Sequence, residues 1–195
     1  MWFNLNHKFN NQMKNIIIHP EDNTTTFLKP IYEKIKDQIV ITSNSTPEEI
    51  SSLIKTSNRV IMLGHGSSMG LFALNVFPQN ILKPYVIGSE EKEILKDKTE
   101  NIYIWCNANK YVEYYNLKGF YSGMFISEIH EAILCGLKNI TQEIINESNN
   151  EFSAIVGKHI DLPVKALHET VKKEYGELAK INPVAEYNYE RLYVK

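Results

Sequence analysis

Short runs of β-branched and aromatic residues punctuate the first half of the chain: Ile16–Ile18, Ile39–Ile41, Val60–Leu63, Tyr85–Ile87 and residues 102–105. Each is apolar throughout rather than alternating, the pattern of strands covered on both faces of a parallel sheet. Between them the period changes. Phe27, Leu28, Ile31, Tyr32 and Ile35 follow the threonines at 24–26 at helical spacing, with Pro30 tolerable in the first turn. Thr46-Pro47-Glu48-Glu49 is a capping box with proline at the first helical position, and Ile50, Leu53 and Ile54 share the face behind it. Ser89 is placed to cap a further helix running through Lys98. This alternation of strand and helix predicts a parallel sheet.

The second half is mainly helical in pattern. Ile129, Ile133, Leu134 and Leu137 form one apolar face, and Phe152, Ile155 and Val156 a second. Pro163 opens a third segment, where Val164, Leu167, Val171, Tyr175 and Leu178 make a stripe. Asn10-Asn11 and Asn149-Asn150 read as loops. The expected fold is therefore α/β, a three-layer sandwich with a mostly parallel central sheet and a helical C-terminal part. It forms a single domain over residues 1–195, with 1–14 as an N-terminal arm and 141–195 as the mainly helical layer.

Composition narrows the function classes. The chain has 195 residues, 43% hydrophobic and 23% charged, with a formal charge of −2. That balance gives no general attraction to nucleic acid or anionic lipid. Arg59 and Arg191 are the only arginines, so a nucleic-acid groove lined by guanidinium forks is not expected. No apolar run reaches the roughly 20 residues of a membrane span. The opening Met1-Trp2-Phe3-Asn4 lacks the basic-then-apolar pattern of a secretory leader, and two cysteines make a disulfide framework improbable. A reduced, cytoplasmic protein is expected. The aromatic tail, residues 187–194, is suited to docking on its own domain or on a second copy as a homodimer.

Ligands of a parallel sheet collect where the carboxyl ends of the strands release their loops. Three predicted strands end there in reactive groups: His19-Pro20-Glu21-Asp22, Gly64-His65-Gly66-Ser67 and Cys106-Asn107-Ala108. A thiol and an imidazole at one edge are the ingredients of a nucleophile–base pair, with the thiol pKa lowered by its partner. Backbone N–H groups of Gly66 and Cys106 would face the oxyanion. The plainer alternative is an inert cysteine and a hydrogen-bonded turn histidine. Cys135, on the apolar face 129–137, is expected in the core.

The sequence resembles the caspase-like cysteine peptidases, the group of caspases, gingipains, clostripain, separases and CHAT proteins. The likeness rests on Val60-Ile61-Met62-Leu63-Gly64-His65-Gly66, an apolar strand ending in His-Gly, and on Ile102-Tyr103-Ile104-Trp105-Cys106, a second ending in Cys. It covers roughly residues 15–135. The resemblance implies that His65 is the general base and Cys106 the nucleophile of a peptidase that needs no cofactor. Ser67, Ser68 and Asn107 would then border the substrate. With so few arginines, an acidic residue at the cleavage point is not expected.

Other readings share these residues. Gly66-Ser67-Ser68-Met69-Gly70 matches Gly-x-Ser-x-Gly, though a hydrolase elbow needs its serine directly off the strand. The same loop reads loosely as a dinucleotide fingerprint. His19, Asp22, His65 and Cys106 are zinc-ligand types without a paired spacing, so no metal is expected. The alternative function is the binding or processing of a nucleotide-like small molecule. There Gly119–Ala132 would pass from a turn into a helix, Glu128 would hold a ribose hydroxyl and Tyr121 would stack on a base.

Overall fold

The computed structural model describes residues 15–195; the expected N-terminal arm, residues 1–14, lies outside the described residues. In chain order the strands are β1 (Ile16–Ile18), β2 (Ile39–Ile41), β3 (Val60–Leu63), β4 (Gly66–Ser67), β5 (Gly70–Phe72), β6 (Tyr85–Ile87), β7 (Ile102–Ile104), β8 (Phe120–Ser122) and β9 (Leu192–Val194). The helices are α1 (Pro47–Thr56), α2 (Lys92–Lys96), α3 (Ala108–Tyr114), α4 (Ile129–Leu134), α5 (Gln142–Lys158), α6 (Val164–Ala179) and α7 (Pro183–Tyr189). A 3-10 helix spans Thr26–Ile31.

Six strands form the central sheet in the order β2-β1-β3-β7-β8-β9. All run parallel except β9, which lies antiparallel on β8. Alternate side chains feed two cores, as the period of a strand requires. Ile16, Ile18, Val60, Met62, Tyr103 and Trp105 face one side, packed with Ile50 and Ile54 of α1 and Tyr111 of α3. Ile17, Ile61, Leu63, Ile102, Ile104 and Phe120 face the other, packed with α5 and α6. The fold is thus α/β with helices on both faces of a mostly parallel sheet, as the continuous apolar runs predict.

Local signals explain most element ends. Thr46 and Glu49 make the predicted reciprocal capping box of α1, and Pro47 opens it. α6 buries Val164, Leu167, Val171 and Tyr175, the stripe read from the sequence. At the amino edge Arg59 donates to the carbonyls of Ile160 and Leu162 and pairs with Glu100, far from the carboxyl ends of the strands.

Five expectations need correction. Tyr85–Ile87 belongs to a separate antiparallel sheet, β4-β5-β6, not to the central one. Residues 120–122, expected as part of a turn, form β8, whose side chains are all buried. The run 27–35 is helical only as the short 3-10 segment, because Pro30 removes an N–H and restricts its neighbour. α2 starts at Lys92 behind Glu91, not behind Ser89, and Glu91 accepts from the Gly88 N–H. Asn149-Asn150 lies inside α5.

The expected inward face of α4 also turns outward. Ile133 and Leu134 are 66% and 82% exposed, while Glu131 and Ala132 face inward. The helix has six residues and is anchored through Glu131, so its orientation follows that carboxylate rather than its apolar residues. Cys135, expected in the core, is half-buried beside a small cluster built on Ile126, Ala132, Ile145 and Val184. The aromatic tail is spent within the chain, with β9 at the sheet edge and Tyr193 stacked on Tyr121. Among the described residues no helix is long and apolar enough to cross a membrane.

α5 lies against the 3-10 helix at Gly157, where a Cβ would stand 2.1 Å from the Pro30 carbonyl oxygen. Alanine normally improves a helix interior by up to about 1 kcal/mol over glycine. Here the clash is with backbone and reverses the sign. Gly157→Ala is expected to destabilise by about 2 kcal/mol net, lowering Tm by roughly 4–8 °C. A melting temperature at or above wild type would show that the two helices are not in contact at this point.

Candidate active site

β1 is the switch point of the sheet. Its neighbours are β2 on one side and β3 on the other, so the chain leaves β1 in one direction and returns past it in the other. Loops diverging at such a point leave a crevice at the carboxyl ends of the strands. The loop after β1, the loop after β3 and the turn after β7 all open there. They carry Asp22 and Thr24, His65, and Cys106.

His65 is held from the β1 side. Its Nε2 lies 2.6 Å from Thr24 Oγ1 and 3.1 Å from Asp22 Oδ2. The Thr24 hydroxyl donates to Asp22 Oδ1 at 2.8 Å, so its oxygen is left to accept from the ring. Asp22 Oδ1 also receives the N–H groups of Thr24 and Thr25 and the Thr25 hydroxyl. Partial burial opposes the Asp22 charge, but the hydrogen bonds from Thr24 and Thr25 and the neighbouring His65 outweigh it and hold its pKa below the ordinary value. An ionised carboxylate only accepts. In the neutral ring the proton therefore sits on Nε2, and Nδ1 carries the free lone pair.

Trp105, the residue before Cys106, ties that turn to the loop of His65. Its Nε1 donates to the Ser67 carbonyl at 3.0 Å. Its ring lies so close to Gly66 that a Cβ there would be 2.2 Å from Cδ1, so only glycine fits. On the other side the Ser122 hydroxyl donates to the Trp105 carbonyl, and Asn107 donates its N–H to the Gly123 carbonyl. Asn107 has φ 66°, a left-handed conformation that asparagine tolerates better than most residues.

His65 and Cys106 line one cleft together with Thr25, Phe27, Phe125 and Ser127. Its volume is about 20 Å³, room for about one water. Within it the Cys106 thiol donates to the Phe125 carbonyl at 3.4 Å and to Glu131 Oε1 at 3.8 Å. Burial first, and the Glu131 carboxylate second, push its pKa up to about 12. This is opposite in direction to the lowered pKa expected from pairing with histidine. Glu131 is 8% exposed and also receives the N–H groups of Ser127 and Glu128 through Oε2, so it is fixed in place.

Glutamine at 131 keeps an acceptor oxygen but not the charge. Glu131→Gln is therefore expected to speed iodoacetamide labelling of Cys106 at pH 8 roughly tenfold, the effect of about one pKa unit on the thiolate fraction. An unchanged rate would show that the carboxylate does not restrain the thiol.

The remaining predicted residues divide. Gly66 pairs with Leu71 in the β4–β5 hairpin, and the Phe72 N–H donates to the His65 carbonyl. In antiparallel pairing, hydrogen-bonded and non-bonded pairs alternate, so Gly66 N–H points out of the ladder. Ser67 is half-buried, with Oγ near the Tyr85 hydroxyl and accepting from Met69 N–H. Ser68 is exposed at the hairpin tip. Its neighbourhood is thus a β-turn, not the strand-to-helix elbow of a serine hydrolase. Tyr121 is 6% exposed, and its ring packs into the core shared with α1 and α3, so it offers no open face for stacking. Glu128 caps α4 and lines a cavity with α5, on the other side of the sheet.

Two functional candidates escape a reading of the sequence. Asp22 and Thr24 form a short hydrogen-bonded turn whose signal, an acidic residue followed by threonines after a strand, looks like an ordinary helix cap. Glu131 sits 25 positions from Cys106, and no spacing rule links them. His19, a zinc-ligand type in the sequence, is instead wholly buried, with Nδ1 3.1 Å from the Tyr32 hydroxyl. Compared with known proteins, the sequence matches no family model and no curated protein.

Proposed function

We propose that the protein is a caspase-like cysteine hydrolase that cleaves peptide bonds. The observation that carries this reading is the placement of His65 and Cys106. They follow two hydrogen-bonded parallel strands, β3 and β7, at the same edge, and they line one cleft. The tautomer of His65 supports it, because Nδ1 remains to accept a proton.

In this mechanism Nδ1 takes the proton from Cys106 Sγ, and the thiolate adds to the scissile carbonyl carbon. The Gly66 N–H, outside its ladder, is the donor for the oxyanion. Collapse of the tetrahedral species breaks the C–N bond, and His65 returns its proton to the departing amine. Water, deprotonated by the same Nδ1, then hydrolyses the thioester and frees the thiol. Asp22 and Thr24 hold the ring in the productive tautomer throughout. For attack, the thiol must leave Glu131 and Phe125 and turn towards His65, and the narrow cleft must open.

A peptide-library digest read by mass spectrometry tests the reading, with wild type and Cys106→Ala side by side. Cleavage by wild type alone is expected, and a peptidyl acyloxymethyl ketone is expected to add to Cys106. Cleavage that persists in Cys106→Ala would overturn the assignment.

A further inference from the structure

α4 sits on the surface the wrong way round. Ile129, Ile133 and Leu134 face water, while Glu131, Ala132 and the half-buried Cys135 form its inner side. Burial of apolar area orients a surface helix in the opposite sense. Among the described residues the Glu131 carboxylate has no lysine, arginine or histidine partner. It receives the Cys106 thiol, the Ser127 hydroxyl and the N–H groups of Ser127 and Glu128. A charge kept from water without an opposite charge beside it is costly. Turning α4 by about half a revolution on its axis, at about 100° per residue, would relieve both costs. The apolar residues would go in and the carboxylate out.

The hydrogen bonds of Glu131 are arranged for such a turn. Those from Ser127 and Glu128 lie inside the segment itself and travel with it. Among the described residues, the bond from Cys106 is the one that ties the carboxylate to the rest of the molecule. The segment also has defined ends. On one side the backbone of Ile126 is clamped: its N–H donates to Asn188 Oδ1, and its carbonyl accepts from Asn188 Nδ2. On the other side Gly136 has φ +82°, and a Cβ there would meet nothing within 4 Å, so the chain is free to swivel. Ser127 is part of the wall of the Cys106 cleft, so movement of the segment widens that cleft.

We propose that residues 127–135 form an autoinhibitory latch with two positions. In the one observed, Glu131 is inward and holds the Cys106 thiol. In the other, Ile133 and Leu134 pack inward against Ile126, Ile145 and Val184, the apolar cluster already under α4, and Glu131 reaches water. The thiol then retains only its weak bond to the Phe125 carbonyl and can swing to His65 Nδ1. The latch rests on the hydrolase reading for its effect on catalysis, but not for its movement.

The test reads the thiol directly. Iodoacetamide labelling of Cys106, resolved from Cys135 by peptide mass spectrometry, is timed at pH 8 in wild type and in Ile133→Ser/Leu134→Ser. Labelling should slow roughly tenfold or more in the serine variant, which forfeits the burial that stabilises the turned position. Fraying of a static helix gives the opposite sign, since serine is a poorer helix former than leucine and loosens α4. Ile133→Val/Leu134→Met, still apolar, should label at the wild-type rate. Where wild type cleaves peptide, kcat/KM should fall by the same factor in the serine variant. Unchanged or faster labelling in the serine variant, or equal slowing in the apolar one, would overturn the latch. If wild type cleaves no peptide, the hydrolase reading fails, and the labelling rates still decide the latch.

Discussion

Replacing His65 by alanine is expected to lower kcat/KM for peptide hydrolysis by about a hundred- to ten-thousand-fold, the usual worth of a positioned general base. Asp22→Asn should come close to the same loss, although Asp22 touches no substrate. Thr24 and Thr25 crowd donors around Oδ1 of residue 22, so the amide oxygen of an asparagine would stay on that side. Its NH2 group would then face His65 Nε2, where a carboxylate oxygen now stands at 3.1 Å. The ring must accept there, its proton moves to Nδ1, and the base is lost; a wrong tautomer in a triad is known to be this costly. The double variant should be little worse than either single one, because both remove the same function. Full activity in Asp22→Asn would show that the carboxylate does not set the tautomer, and full activity in His65→Ala would remove the histidine from the mechanism.

The second large effect concerns stability in mild acid. Burial lowers the His19 pKa from 6.5 to about 4, against the weaker opposing pull of Glu21 and Asp22. Tyr32, pushed up to about 12 by its own burial, keeps its proton and donates to Nδ1. Among the described residues His19 Nε2 makes no hydrogen bond, so the buried ring gains little to offset the cost of a second proton. The unfolded chain binds that proton below about pH 6.5, whereas the folded chain resists until about pH 4. The contribution to stability is therefore complete above pH 6.5 and is lost as the pH falls through this window. It amounts to up to about 3 kcal/mol, or roughly 6–12 °C in Tm. In His19→Leu, urea titrations should give a much flatter dependence between pH 6.5 and 4, even though loss of the Tyr32 partner lowers stability at neutral pH. An identical slope in the variant would mean that other groups govern the acid limb.

Parts of this picture are legible in the chain itself. Continuous apolar runs identify β1, β3 and β7, because strands covered on both faces have no polar side to show, and β2 reads the same way although it is an edge strand with Val40 exposed. The same logic fails for Tyr85–Ile87, as short and apolar as the others, since pairing partners rather than local pattern decide which sheet a strand joins. It fails again at β8 and β9. β8 lies between glycines and reads as a turn, and β9, Leu192–Val194, reads as part of an aromatic tail until it pairs with the open edge of β8. In α4 the apolar residues Ile129, Ile133 and Leu134 suggest a buried face, yet the fixed carboxylate of Glu131 leaves that face turned to solvent.

His65 and Cys106 stand out in the sequence because each follows a buried strand, and strand ends in a parallel sheet deliver their next residues to one edge. Local hydrophobic order is enough to establish that much. Only the tertiary structure decides what surrounds them. Strand order places β1 between β2 and β3, and that crossover brings Asp22 and Thr24 against His65. Packing of α4 over the same edge sets Glu131 beside the thiol. These contacts join segments tens of residues apart. They depend on which faces of the sheet and helices find each other, a choice made by shape and burial across the whole domain rather than by the preferences of neighbouring residues.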